Sequence, residues 1–516
     1  MNRRLWPALT IGLPALFIGY LFLYPLGRMF WISLSGAGFV EVFGSSRFRE
    51  AAWFTLWQAA VSTVLTLVAA LPVTWAISRF SFWGRDAIRA LVTVPFALPT
   101  VVVGAAFLAL SGRGIIAILA AHVFFNLAVV VRTVGGVWSR IDPRVEEAAA
   151  VLGASPLRRL REVTLPLLRP ALFSAAAIVF LFCFTSFGTV LILGGGRLRT
   201  LEVEIYQQAV SFLDLGTAGA LAVIQLAVVV AVLVISARLQ TRATELTLSS
   251  ETNLSRPRGR RQRTVVVAVV TATLAALAAP MAVLVVRSFD AGATGWLELF
   301  ANDGPAATRT LPAIRNSLVF ATVTAIIAVV IGGLASAALA RRGRGAGWFD
   351  TILMLPLGTS AVTIGFGFLV ALDRPIDLRG TLLLIPLAHA VVAIPFVVRV
   401  TLPLIRSIRH DLREAAAVLG ASPARVWKEI DFPIIARALA VGAGFAAIIS
   451  LGEFGATSFI ARPATATVPT VLFQLLGRPG QVTFASAMAM AVLLAGLTAI
   501  IILSVDRLRA GTTGSF

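Results

Sequence analysis

Few side chains in this sequence could carry chemistry. Three histidines, one cysteine and a single lysine are spread over 516 residues. A phosphate-cradling loop needs G-x-x-x-x-G-K-[ST], because backbone N–H groups and the lysine hold the phosphates together. Lys428 lies in Val426-Trp427-Lys428-Glu429, with no glycine ahead of it and no hydroxyl after it. No ATP site and no resident cofactor are expected in this chain. Cys183 stands alone in an apolar run, which excludes an intrachain disulfide, a cysteine-based zinc site and haem attachment. No cluster of His, Asp or Glu offers an acid–base pair or a metal site, so neither catalytic residues nor metal ligands are assigned.

The chemistry that remains is binding and positioning. Glu453, in Leu451-Gly-Glu-Phe-Gly-Ala-Thr457, is the one acid placed well inside a predicted membrane span. An acid there marks function by default. It can hold a helix junction through hydrogen bonds, or meet a cation. His122 and His389 each precede an arginine, Arg132 and Arg399, by ten residues. They read as neutral imidazoles bonded to a neighbouring helix, with a pH switch as the sharper alternative. Cys183 reads as a small packing residue, and Asp373 and Asp377 as solvated acids of an outer loop.

A second group is repeated. Glu147-Ala-Ala-Ala-Val-Leu-Gly-Ala-Ser-Pro156 recurs residue for residue from Glu414 to Pro423, an offset of 267. The same offset aligns His122 with His389, Arg158 with Arg425, Glu162 with Glu429 and Pro166 with Pro433. It continues through Phe187-Gly188 and Phe454-Gly455 to Tyr206-Gln207 and Phe473-Gln474. Ser186 is thereby the mate of Glu453. Asp142-Pro143 supplies an N-cap and first-turn proline, and Gly153 a helix stop. Ser155-Pro156 starts a second short helix that Pro166 is expected to end. Each copy should form a helix–glycine–helix elbow with Ala148, Ala149 and their mates Ala415, Ala416 on a flat face.

The elements that must position these groups are membrane helices. Hydrophobic residues make up 58% and charged residues 13%, with a mean hydropathy of +0.91. Most of the chain therefore cannot face water. Spanning the hydrocarbon takes about 20 apolar residues. Twelve segments qualify: 7–31, 53–78, 88–110, 114–137, 170–193, 216–237, 264–286, 316–340, 351–372, 381–400, 436–460 and 484–505. Asn2-Arg3-Arg4 with the run after it reads as a retained signal-anchor. The fold class is all-α, a polytopic 6+6 parallel repeat. Residues 1–237 form the first half, 238–263 a cytoplasmic linker and 264–516 the second half. The net charge of +20 is almost all arginine, clustered in short loops. That pattern is topological and argues against nucleic acid. With the N-terminus inside, cytoplasmic segments hold 30 of the 44 Lys and Arg residues, which places both termini and both elbows in the cytoplasm. Trp31, Trp53 and Trp138 fall near span ends, where an interfacial belt belongs.

Glu147-Ala-Ala, three residues, Gly153, nine residues, then Val163-x-Leu165-Pro166 resembles the EAA loop of ABC importer permeases, with Val for Ile. The second copy ends in Ile430-x-Phe432-Pro433 and departs by Phe for Leu. The resemblance covers essentially the whole chain. It implies a type I permease of a bacterial inner membrane whose elbows are coupling helices. Glu147, Ala148, Ala149, Gly153, Pro166 and Glu414, Ala415, Ala416, Gly420, Pro433 would then meet two copies of a separate ATP-binding subunit, which holds the ATP. An extracytoplasmic solute-binding protein would deliver the solute. Phe184-Thr-Ser-Phe-Gly through Gly196, followed by Thr200-Leu-Glu-Val-Glu-Ile-Tyr206, is similar to permeases of thiamine importers. Iron(III) importer permeases share the fused plan. The resemblance implies a pathway lined by Ser186, Phe187, Glu453 and Phe454, open to thiamine or its phosphates, or else to iron or another small solute. A proton-coupled secondary transporter would need several intramembrane carboxylates, and its loop signature has only a poor echo in Trp83-Gly84-Arg85-Asp86.

Overall fold

The structure is a computed structural model. It describes residues 8–35, 38–241, 254–257, 259–301, 307–341, 346–408 and 410–510. Asn2-Arg3-Arg4 and much of the 238–263 linker lie outside the described residues. Apart from one isolated bridge between Phe80 and Ser255, the described residues form helices and their connections.

The first half runs α1 (Leu9–Leu34), α2 (Ser46–Arg79), α3 (Arg85–Ala97), α4 (Thr100–Ser111), α5 (Ile115–Trp138) and the short α6 (Pro143–Val151). It continues with α7 (Pro156–Phe184), the short α8 (Gly188–Leu193) and α9 (Leu201–Tyr206), and α10 (Leu215–Thr241). The second half repeats the order: α11 (Gly259–Arg287), α12 (Ala307–Ala340), α13 (Ala346–Gly358), α14 (Ala361–Ala371), α15 (Leu384–Ser407) and α16 (His410–Val418). Then come α17 (Ala424–Gly452), α18 (Gly455–Ile460), α19 (Val468–Leu476) and α20 (Gln481–Ala510).

Ten of these are long and apolar enough to cross a membrane unbroken, and the expected spans 88–110 and 351–372 are bent pairs instead. The α3–α4 pair turns by 98° and the α13–α14 pair by 100°. Leu98 and Pro99 are extended between the first two, as the residue before a proline prefers. At the second break the Ser360 hydroxyl accepts from Thr363 N at 3.0 Å and restarts the helix.

Two further spans differ from expectation. Pro166 does not end a helix: α7 runs unbroken from Pro156 past it. A π turn over Leu160–Thr164 puts Leu165 N on Leu160 O just ahead of the proline. The wider turn absorbs a residue that has no N–H to give. Pro433 is passed in the same way by the π turn Trp427–Asp431. At their far ends α7 stops at Phe184 and α17 at Gly452, short of the expected 193 and 460.

The halves interlock. The first span of each packs on the bent pair of the other: α1 against α14, and α11 against α4. The closest approach within the second bent pair's surroundings is at Gly365. A Cβ there would sit 2.6 Å from the Cα of Ala456 in α18, so only glycine fits. Large apolar side chains such as Leu16, Trp31, Trp53, Val68, Ile326 and Leu503 stay exposed around the outside, as a lipid-facing surface requires. Trp138 is not among them: it is buried against the bundle, so it is a core residue and no part of a belt.

Candidate coupling elbows and translocation pathway

The first helix of each elbow stops at its glycine as the sequence signals require, while the helix after it runs on into the span. Asp142 accepts from Arg144 N at 2.9 Å and starts α6. At the other end Gly153 has φ +82° and Gly420 has φ +79°, the left-handed conformation that favours glycine. Ala154 N reaches Ala149 O at 3.0 Å and Gly153 N reaches Ala150 O at 3.0 Å. Ala421 N and Gly420 N repeat the pair on Ala416 O and Ala417 O. Both helices thus close with the same doubly bonded stop.

The outer edge of each elbow carries the matching residues. Glu147, Ala148, Glu414 and Ala415 are exposed, and Ala149 and Ala416 half-buried. Val151 and Leu152 are 88% and 87% exposed, and Val418 and Leu419 both 87%. Two identical apolar tips beside an acid are costly in water unless something covers them.

The inner edge was missed by the repeat, because its residues differ. Glu146 pairs with Arg79 at the end of α2 and accepts from the Thr164 hydroxyl at 2.8 Å. At the same positions of the second half, Arg413 meets Asp431 at 2.9 Å. The polarity is reversed while the tie from elbow helix to span is kept. Arg79 O also receives Ser255 N at 3.0 Å, so the linker strand docks on the same corner.

Deeper in the bundle, α7 and α17 break at mated positions. Thr185-Ser186-Phe187 separates α7 from α8, and Glu453-Phe454 separates α17 from α18. Glu453 is therefore at a helix junction, not within a continuous span. Its Oε1 accepts from Ala456 N at 2.7 Å. Its Oε2 accepts from Thr457 N at 3.0 Å and from the Thr457 hydroxyl at 2.5 Å. His389 Nε2 lies 3.1 Å from the same oxygen. Two backbone N–H groups and one hydroxyl donate to the carboxylate, with the His389 imidazole beside it, so both oxygens are engaged within the protein.

The histidines are mates in sequence, and each turns Nε2 to the break of its own half while Nδ1 finds a different helix in each. His389 Nδ1 is 2.7 Å from the Ser450 hydroxyl, and Nε2 2.8 Å from Thr457 Oγ1. His122 Nδ1 and Nε2 are each 2.9 Å from a serine hydroxyl, Ser62 and Ser186. Each histidine pins the break of its own half to a neighbouring helix. Cys183 is buried one turn before the first break, where Asn126 Nδ2 reaches its sulfur at 3.4 Å.

Phe187 and Phe454 meet between the halves with ring centroids 5.6 Å apart and planes 19° from parallel. Tyr206 packs on Phe187 at 5.3 Å, and its mate Phe473 on Phe454 at 5.3 Å. Of the four pathway candidates, the structure brings these two rings together. Ser186 and Glu453 are held beside them by the histidines.

Two buried acids escaped the sequence reading. Glu202 and Glu204 lie in a stretch expected to be an outer loop, yet both have no exposed surface. Their helix α9 folds back among the spans. It is held by Leu201 N on Thr55 Oγ1 at 2.9 Å, as Val468 N on Ser317 Oγ holds α19 at 2.9 Å. Glu204 pairs with Arg47 at 2.7 Å and Arg199 at 3.4 Å. Glu202 receives Gln225 Nε2 and has the Ser360 hydroxyl beside it. In the exposed loop after α14 Asp377 meets Arg379 at 3.1 Å, and that hydrogen bond holds its carboxyl below the usual range.

Two stretches of the chain, residues 62–246 and 328–512, match the family described as binding-protein-dependent transport system inner membrane component. Among curated proteins, the thiamine transport system permease protein of Brucella suis is 30% identical over 491 residues, covering 90% of this chain and 88% of that one. The thiamine transport system permease protein of Escherichia coli K12 is 27% identical over 472 residues, with 87% of each chain covered. The sulfate transport system permease protein CysT of Salmonella typhimurium is 32% identical over 223 residues, covering 39% of this chain.

Proposed function

The chain belongs to the family of binding-protein-dependent transport system inner membrane components, in two fused copies, and from that premise we propose that it is the permease subunit of an ABC importer for thiamine or its phosphates. It is a transport subunit and not an enzyme. Two copies of an ATP-binding chain dock on the elbows from the cytoplasm, one on each half. A solute-binding protein docks on the outer face, and both termini lie in the cytoplasm. The translocation pathway runs between the halves, past Ser186, Phe187, Glu453 and Phe454.

The elbows carry this reading. Identical apolar tips, Val151-Leu152 and Val418-Leu419, stand out beside Glu147 and Glu414 on helices stopped by glycine in the same way. Such a pair suits two copies of one partner with a groove for each. The polar ties of Glu146 and Arg413 at the helix bases give any push a rigid route into α2, α7 and α17. Support for the solute comes from the relatives, whose thiamine permeases align over nearly the full length. The sulfate relative aligns over a smaller share of this chain.

The test is reconstitution. The full chain, purified with its ATP-binding and solute-binding partners, should take up radiolabelled thiamine into proteoliposomes only with ATP. Uptake of iron(III) or of sulfate instead would keep the importer class and replace the solute. Uptake driven by a proton gradient without ATP would overturn the class.

A further inference from the structure

We propose that Glu202 and Tyr206 form the cation-recognising part of the pathway, a site for a flat heteroaromatic cation that is collapsed in this closed state. The inference rests on the thiamine reading and names the groups that would select such a solute.

Glu202 has no exposed surface, and one of its carboxyl oxygens, Oε2, makes no hydrogen bond among the described residues. Its other oxygen has Gln225 Nε2 as partner. The other buried acids have more partners: Glu453 has four contacts, and Glu204 faces two arginines although its own Oε2 makes no well-aligned hydrogen bond among the described residues. Burying a polar group short of hydrogen-bond partners is expensive, and a residue that serves only packing would be better apolar. The second half makes that substitution, with Pro469 at the mated position.

The position is also informative. Glu202 and Tyr206 are four residues apart on α9, so they share a face. That face is turned to the other half. The Ser360 hydroxyl, at the break of the second bent pair, lies near the Glu202 carboxyl. The Tyr206 ring packs edge-on against Phe459 at 5.4 Å as well as on Phe187. A carboxylate and a tyrosine face, one helical turn apart and beside the stacked Phe187–Phe454 pair, offer both terms that bind an aromatic cation. Charge pairing is strong away from water, and the rings add stacking and cation–π attraction. When the halves part and the Phe187–Phe454 stack opens, the ring plane and the free oxygen become available together.

The experiment uses the full chain assembled with its ATPase in nanodiscs. The probes are thiamine, a cation, and thiochrome, its flat neutral oxidation product. Wild type should bind thiamine at least tenfold more tightly than thiochrome. Glu202→Gln should bring that ratio close to one, by weakening thiamine and leaving thiochrome little changed. Tyr206→Leu should weaken both probes several-fold, and Tyr206→Phe should restore them. Should Glu202→Gln fail to assemble, the Tyr206 pair decides, because Leu binding as tightly as Phe overturns the site. An unchanged thiamine-to-thiochrome ratio in assembled Glu202→Gln also overturns it. ATP-driven thiamine uptake by wild type is measured alongside: its absence overturns the thiamine reading itself, whereas its presence with an insensitive ratio overturns only the site.

Discussion

Phe187 stacks on Phe454 across the boundary between the halves, and the two are mates in the internal repeat. A duplicated chain brings equivalent residues face to face only near its pseudo-two-fold axis, which is also where a pathway between halves must pass. Each ring is carried by the last residue before a short helix, at the break in its span. Both rings are buried, at 6% and 2% exposure, so the proposed route is closed between them.

Truncating the stack should loosen that closure. Phe454→Ala removes a ring that also packs on Phe473, and such a deletion in a packed interior costs about 3–5 kcal/mol. The double variant Phe187→Ala, Phe454→Ala is expected to leak labelled solute from proteoliposomes without ATP. Phe454→Leu, which keeps most of the volume, should leak little. A double variant as tight as wild type removes the barrier role.

Glu453→Gln tests whether that acid is a junction or a charge site. Both carboxylate oxygens accept from donors, so an amide must turn its NH2 toward N–H or O–H groups. The expected cost is about 1–3 kcal/mol for the donors left unmatched, seen as a lower unfolding temperature. Transport should fall alike for cationic and neutral probes. A loss confined to the cation would assign Glu453 to the solute instead.

The sequence reading and the structure agree most closely where local chemistry decides. Asp142, Gly153 and Gly420 set helix ends through their own backbone and side-chain preferences, and a repeat of identical residues exposes them. The bent pairs were hidden because hydropathy records composition and not direction. Residues 88–110 are apolar enough to cross, and the turn that Leu98-Pro99 permits is fixed by packing against α5 and α11. Glu202 was hidden for the opposite reason. With Arg199 and Glu204 beside it, the segment looks like a wet loop, and its burial depends on Thr55, Gln225 and Arg47 far away in sequence. Glu146 and Arg413 were overlooked because their roles match while their charges are reversed.

Topology can be read with introduced cysteines, since native Cys183 is buried and should resist a membrane-impermeant maleimide. Ser155→Cys, at the elbow, should label only when the reagent has access to the cytoplasmic face. Arg197→Cys, between α8 and α9, should label from outside. If Arg197→Cys reacted only from the cytoplasm, the bent pair α3–α4 would be a re-entrant loop and not a crossing.

The elbows give the most direct test of coupling. Gly153→Val places a β-branched residue at φ +82°, where an L side chain costs about 1–2 kcal/mol, and it distorts the stop that presents Val151 and Leu152. No neighbour lies within 4 Å of a Cβ there, so the strain is local and the protein should still insert. Glu147→Ala is milder, because the side chain is exposed and meets no partner among the described residues. The double variant Glu147→Ala, Glu414→Ala should keep its spans and its outer face but release the ATPase. Co-purification of the ATPase should drop at least tenfold, and ATP-driven uptake should fall with it. Glu146→Gln acts from the other edge: it weakens the tie to Arg79 and should leave ATPase binding near wild type while lowering transport per ATP hydrolysed. That split separates docking from transmission. Wild-type uptake in the double glutamate variant would mean that the partner does not grip these edges, and the apolar tips alone would then have to account for docking.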